Sequence, residues 1–418
     1  MIPDADTPEM NLHLPEDTFF TNLQGNPAEI PLRFERLFRT YLPNLPFVAT
    51  NALDLQTFAD LGKCHCRLRS KPFASFVVDW GGPDEDRLVP DHIQGVWDVS
   101  WNEHSLQVVH ATWQTECGRQ QRYWVFALDA SIAREFMLEL ARQTNDPGES
   151  VLVFRSGEWE RSEEMYQMIR STSLDELILP GTQREEMLAD FHQFLIAKDQ
   201  YDALGIAWRR GAILMGPPGN GKTHFLRTLV QQLKIPCLYV QCLDHPYYTS
   251  EQLLDLVFDR ARQLRPALLI FEDLDSLINE ENRSFFLNQL DGFEKNTGLI
   301  VVATTNHPER IDSAILDRPS RFDRKYEFGL PSQSERQRFL YLWRDKLSKL
   351  VPWNGDAIPQ LVESSADFSY AYLKELMVSS LLRWLHGNSN PASRPPFEQV
   401  LSEQCELLQL QRMPPNDV

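Results

Sequence analysis

Residues 216–223 read Gly-Pro-Pro-Gly-Asn-Gly-Lys-Thr: a glycine, four residues, then Gly-Lys-Thr. That order suits a loop that wraps phosphate. Gly216, Gly219 and Gly221 let the backbone bend so that its N–H groups converge on phosphate oxygens. Lys222 reaches the β- and γ-phosphates, and the Thr223 hydroxyl is a ligand for Mg²⁺. Pro217, Pro218 and Asn220 complete the loop and His224 follows it, so 216–224 is the candidate nucleotide-binding set. Upstream, Ala212-Ile213-Leu214-Met215 reads as a short buried strand. Downstream, His224 to Leu233 reads as a helix whose N-terminus also attracts anions. A chance glycine-rich loop would lack this strand–loop–helix setting.

The next informative stretch is Ala267-Leu268-Leu269-Ile270-Phe271-Glu272-Asp273. An apolar run ending in two acids predicts a buried parallel strand with carboxylates at its C-terminal edge, where ligands sit in open α/β sheets. One acid can hold Mg²⁺ through water and the other can orient the attacking water. Glu272 is assigned to the metal side, with Thr223, and Asp273 to the water side. Leu299 to Thr304 predicts the neighbouring strand, and Asn306 just beyond it can reach a γ-phosphate. The segment Ile311 to Arg324 then carries Arg318, Arg321 and Arg324. Arginines this far along the domain serve a neighbouring subunit's site more easily than their own. Supplied in trans, such a group raises the rate by about 10³–10⁵. Arg318 and Arg321 are the expected pair, and Arg324 is expected in a surface salt bridge.

Taken together, GPPGNGKT, LLIFEDLDSL, ATTNHPERIDSAILDRPSRFDR and the helical tail from LPSQSER resemble the AAA (AAA+) family of ATPases over roughly residues 170–410. The Glu-Asp order and the TTNHPE run are most similar to the branch containing the mitochondrial translocase of the Rieske protein. That translocase has an N-terminal membrane helix, which this sequence lacks. The resemblance implies an α/β fold with a P-loop parallel sheet flanked by helices, a C-terminal helical lid, Walker A and Walker B motifs, and ATP with Mg²⁺. It also implies a homo-hexamer or similar ring with ATP sites at subunit boundaries. In the family, threading members place an aromatic residue after the second strand. Tyr247 or Tyr248 falls there, without the usual following glycine. Lys374 is a candidate to reach the nucleotide from the lid.

The rest of the chain sets the boundaries. Residues 1–30 are Pro-rich and acidic and read as a tail or a loosely docked arm. Residues 31–165 read as a separate N-terminal α+β domain for partner recognition. Leu32 to Tyr41 is amphipathic, and Ala74 to Trp80 precedes a Gly81-Gly82-Pro83 turn. Val96 to Trp101 alternates like a half-buried strand, Ser105 to Trp113 and Arg122 to Leu128 form a hairpin, and Ser131 to Gln143 is helical. Val151 to Phe154 is a further strand. Six of the ten tryptophans fall between Trp80 and Trp159. They fill either an aromatic core or a recognition surface. The ATPase large subdomain occupies 166–330 and the lid 331–418, with helices near 333–349, 356–364, 370–385 and 397–411.

Net charge is −18, which argues against nucleic acid as a partner. No apolar run approaches the ~20 residues that span a bilayer. No Lys or Arg precedes Arg33, so neither a secretory signal nor a mitochondrial transit peptide is expected, and six scattered cysteines fit a reducing cytoplasm. Cys64-His65-Cys66 lacks a second ligand pair for a metal. The chain has no HExxH. Two functions follow: an ATP-hydrolysing ring that remodels, unfolds or translocates a protein partner, or a nucleotide-dependent oligomeric switch or scaffold with slow turnover.

Overall fold

The computed structural model describes residues 18–51, 53–69, 75–80, 88–115, 118–145, 148, 150–155, 157–246, 248–291, 296–316, 318, 321–386 and 394–412. The chain forms two compact units, 1–146 and 147–418. Among the described residues no helix is long and apolar enough to cross a membrane.

In the first unit the strands β1 (Phe47–Thr50), β2 (His65–Leu68), β3 (Ser75–Trp80), β4 (Leu88–Trp101), β5 (His104–Thr115) and β6 (Gly118–Phe126) pair antiparallel. Their order is β1-β6-β5-β4-β2, with β3 also on β4. Both faces are covered. The helix Ile30–Tyr41 lays Phe34 and Phe38 over Trp124, Phe126 and Val109. On the other face Phe136 of the helix Ala130–Asn145 and Phe58 of Leu55–Asp60 pack on Trp101, Leu106, Val108 and Val125. Double coverage explains why β5 and β6 are apolar in consecutive positions rather than alternate ones.

Trp101 and Trp124 are therefore core residues. Phe19 is also fully buried, edge-on to Phe34 at 5.4 Å, so the expected tail is docked from that point. Residues 1–17, the Gly81-Gly82-Pro83 turn and the Trp80 side chain lie outside the described residues.

In the second unit, β7 (Val151–Arg155), β8 (Glu158–Ser162), β9 (Arg210–Met215), β10 (Cys237–Val240), β11 (Ala267–Phe271), β12 (Leu299–Thr305) and β13 (Arg324–Glu327) form one sheet. The order is β13-β9-β12-β11-β10-β7-β8, parallel except for β8. Helices cover both faces. Val257 and Phe258 of Ser250–Gln263 and Phe286 of Arg283–Asp291 pack on Leu269, Phe271 and Val301. Phe225 and Leu229 of Lys222–Leu233 and Phe191 of Gln183–Ile196 pack on Leu214, Ile300 and Val302. Four further helices, Gln333–Leu347, Ile358–Ser364, Tyr370–His386 and Phe397–Arg412, form the lid around Leu340, Leu373, Met377 and Leu401. A Ser332/Glu335 capping box starts the first of them.

The sheet corrects the expected domain boundary at 165. Val151–Phe154 does not extend the N-terminal domain. It pairs parallel with β10, Leu152 opposite Leu238 and Phe154 opposite Val240, and β8 closes that edge. The division falls at 146/147 instead.

Candidate functional site

The P-loop follows β9 and turns into the helix Lys222–Leu233. Gly216 has φ 142° and Gly219 φ 78°, and a Cβ on either would collide, at Gly216 with the Phe328 carbonyl and at Gly219 with Ala371 and Ser369. Only glycine keeps this cradle open. Lys222 Nζ donates to the carbonyls of Gly216 (2.6 Å) and Pro217 (3.0 Å), and burial lowers its pKa despite nearby Asp273, Glu272 and Asp275. His224 Nε2 pairs with the Ser173 carbonyl at 3.1 Å, and burial lowers its pKa.

The loop opens into a cleft of about 360 Å³. Its polar end holds Gly219, Gly221, Lys222, Thr223, Glu272, Asp273 and Asn306. Its other end is walled by Leu177 and Ile178 from the linker and by Phe339, Trp343 and Tyr370 from the lid, and Lys374 also lines it. The sequence reading missed this wall. Its signals were the Leu177-Ile178-Leu179 run and the aromatic pair four residues apart at 339 and 343. The Phe339 and Tyr370 rings lie 5.9 Å apart. The Lys346–Glu176 ion pair links the lid to the linker beside it.

The predicted acids meet the loop. The Thr223 hydroxyl donates to Glu272 Oε1, and the Tyr239 hydroxyl donates to Glu272 Oε2 at 2.6 Å. Asn306 Nδ2 donates to Asp273 Oδ1 at 2.9 Å, and Asp273 N to Thr304 Oγ1 at 3.0 Å. Asp273 is left-handed (φ 52°, ψ 57°), a conformation costly for a non-glycine residue and typical of functional sites. Burial, then the Glu272 and Asp275 charges, raise its pKa. These residues fit a nucleoside triphosphate with a hard cation: a glycine cradle, adjoining hydroxyl and carboxylate oxygens, and an apolar wall for a planar base. The buried Tyr370 hydroxyl, on the cleft wall, is one of the buried polar atoms with no protein partner among the described residues.

The arginines separate. Arg318 has a 66% exposed side chain, 3.7 Å from Asp291. Arg321 is only 5% exposed; its Nη2 and Nε bond Asp291 at 2.6 and 3.0 Å, and Nη1 reaches the Ala314 carbonyl. The expectation that Arg321 faces a neighbour is therefore corrected: here it is an internal tie. Arg324 pairs with Asp190 at 3.0 Å, the surface bridge expected. Asp317, Pro319 and Ser320 lie outside the described residues, as does Tyr247. Tyr248 is partly buried against the core, with His245 4.8 Å away and both beside Gly157 of the β7–β8 turn. Arg155 further ties Gln241 at 2.8 Å. Tyr248 is thus a packing residue.

Comparison with known proteins agrees with this geometry. The family model "ATPase family associated with various cellular activities (AAA)" matches residues 212–330. The chain is 31% identical over 237 residues to "ATP-dependent zinc metalloprotease FtsH 2" of Salinibacter ruber, covering 52% of this chain and 34% of that protein. It is 30% identical to "ATP-dependent zinc metalloprotease FtsH" of Photobacterium profundum, covering 51% and 32%. It is 28% identical over 281 residues to "ATPase family protein 2 homolog" of Caenorhabditis elegans, covering 58% and 37%. The chain spans about a third of the length of these relatives.

Proposed function

We propose, from the match of residues 212–330 to the AAA family of ATPases, that the chain hydrolyses ATP to ADP and phosphate in a homo-oligomeric, ring-like assembly. The observation that carries this reading is the hydrogen-bonded set beside the P-loop, Thr223 on Glu272 and Asn306 on Asp273. Thr223 and Glu272 would hold Mg²⁺, which supplies charge neutralisation on the phosphates. Lys222 and the loop N–H groups bind the phosphates. Asp273 orients the attacking water and takes its proton, and Asn306 fixes the Asp273 carboxylate while meeting the γ-phosphate. Leu177, Ile178 and Trp343 enclose the base. Arg318 of one subunit supplies positive charge to the next subunit's transition state.

On this reading the work done is remodelling of a protein partner recruited by the N-terminal unit, in the cytoplasm. The acidic charge disfavours nucleic acid. The protease named in two relatives is not carried over, since this chain contains no HExxH. The packing of Tyr248 against the β7–β8 turn favours a second reading, a nucleotide-dependent switch or scaffold with slow turnover.

The test is hydrolysis per subunit against protein concentration, for wild type and for an equimolar mixture of Lys222→Ala and Arg318→Ala. A rate that climbs with concentration, and a mixture that regains activity neither variant has alone, supports shared sites. A flat rate and an inactive mixture would sink the ring reading. Stimulation by a protein substrate favours remodelling; slow turnover unaffected by Tyr247→Ala favours the switch.

A further inference from the structure

We propose that Tyr239 is a positioning residue that fixes the Glu272 carboxylate for the divalent cation of the nucleotide site. This rests on the reading of Thr223 and Glu272 as the cation side.

Glu272 occupies the first of two acidic positions after β11. Its side chain is one methylene longer than an aspartate and has one more rotatable bond, so a lone glutamate there would sample several carboxylate positions. The structure removes that freedom from both sides. Oε1 accepts from Thr223 and Oε2 accepts from Tyr239 at 2.6 Å. Tyr239 projects from β10, whose register sets Tyr239 opposite Ile270 and Val240 opposite Phe271, the residue before Glu272. The phenol therefore reaches the carboxylate from the neighbouring strand, while Thr223 reaches it from the P-loop helix.

The ring is half-buried against the core cluster that includes Ile169, Leu226 and Val230. It borders a small apolar pocket of about 80 Å³ lined by Met165, Met168, Ile169, Leu226 and Val230, with Thr223 and Glu272 at one side. The three residues 165, 168 and 169 come from the helix Glu163–Arg170, directly after the β7–β8 pair. The strand-and-helix extension that widens the sheet also encloses Tyr239. A partner that orients a ligating group in this way typically matters 10–100-fold for metal affinity or activity.

The discriminating variant is Tyr239→Phe, which keeps the ring and removes the hydroxyl. Two readouts are needed. One is equilibrium binding of a fluorescent ATP analogue in EDTA and across a Mg²⁺ titration. The other is the Mg²⁺ concentration for half-maximal hydrolysis. The expected result is unchanged affinity in EDTA, with the Mg²⁺ midpoint raised roughly tenfold in both assays. A midpoint equal to wild type overturns the proposal. If wild type shows neither a Mg²⁺ effect on binding nor hydrolysis, the ATPase reading itself fails, which is a separate outcome. Should Tyr239→Phe fold poorly, Tyr239→Leu, which also lacks the hydroxyl, takes its place in the same two assays with the same expected and overturning results; a Glu272→Asp background then asks whether the effect runs through Glu272. The shorter carboxylate no longer spans to Tyr239, so adding Tyr239→Phe to it shifts the midpoint by less than about twofold. A full additional tenfold shift there would mean that Tyr239 acts through something other than Glu272.

Discussion

Arg318 and Arg321 stand three positions apart in one motif, and a single carboxylate, Asp291, separates their roles. Arg321 is buried on it, while Arg318 lies at 3.7 Å with most of its side chain in solvent. An exposed bridge of that length adds little to stability. Breaking the inner pair leaves Asp291 poorly compensated, tempered by its partial exposure. Arg318→Ala is therefore expected to melt within about 1 °C of wild type while losing ~10³-fold in hydrolysis. Arg321→Ala is expected to lose roughly 2 kcal/mol, a fall of about 4–8 °C. Thermal melts beside ATPase rates check both, and a stable but inactive Arg321→Ala would restore the trans role to that residue. The motif made both arginines legible as candidates for a neighbouring subunit's site. Which of them turned inward depends on Asp291, thirty residues away across an intervening strand, and no local pattern carries that. The acids and Asn306 were legible because their positions at strand ends follow from the sheet itself.

At the scale of elements, most helices and buried strands of the second unit were read within a few residues, since their apolar periods are local, but the helices Leu55–Asp60, Glu163–Arg170 and Arg283–Asp291 were not read. The affiliation of β7 and β8 was not. Val151–Phe154 looks equally apolar in either sheet, and only its pairing with β10, more than eighty residues on, assigns it. β13, four residues with no buried member, has no sequence signal as a strand. The β7 pairing makes a prediction. Val151, Leu152, Val153 and Phe154 are all buried, each worth about 1.5–3 kcal/mol as an upper estimate. A chain beginning at 166 should aggregate or melt more than about 10 °C below one beginning at 148. Equal melting temperatures would show the pair to be dispensable.

Within the first unit, Asp98 on β4 joins Arg69 and, from β5, Gln107, each at 2.8 Å. Burial raises its pKa, but these hydrogen bonds and the Arg69 charge outweigh it and the net shift is downward. A depressed carboxylate stabilises above its unfolded pKa and loses that contribution as pH falls through the folded value. Asp98→Asn should cost roughly 1 kcal/mol at pH 7, and the gap should narrow below about pH 4 in urea melts. A gap that stays constant to pH 3 would remove the ion pair as its cause.

At the scale of the whole molecule, the core clusters fall into two sets, one drawn from residues 19–140 and the other from 151–408. Every side chain of the candidate site belongs to the second set's unit, including the lid aromatics. Ligand binding stabilises only the cooperative unit that holds the site, by RT ln(1 + [L]/Kd), about 2.7 kcal/mol at a hundredfold excess over Kd. Calorimetry of the full chain should therefore show two transitions. A slowly hydrolysed ATP analogue with Mg²⁺ should raise one of them by about 5–10 °C and leave the other within 1 °C. The Asp98→Asn change identifies the second as the N-terminal unit, because it should lower that transition alone. A nucleotide that moves both together would mean that the units unfold as one, and binding at the cleft would then be felt directly by the domain proposed to hold the partner.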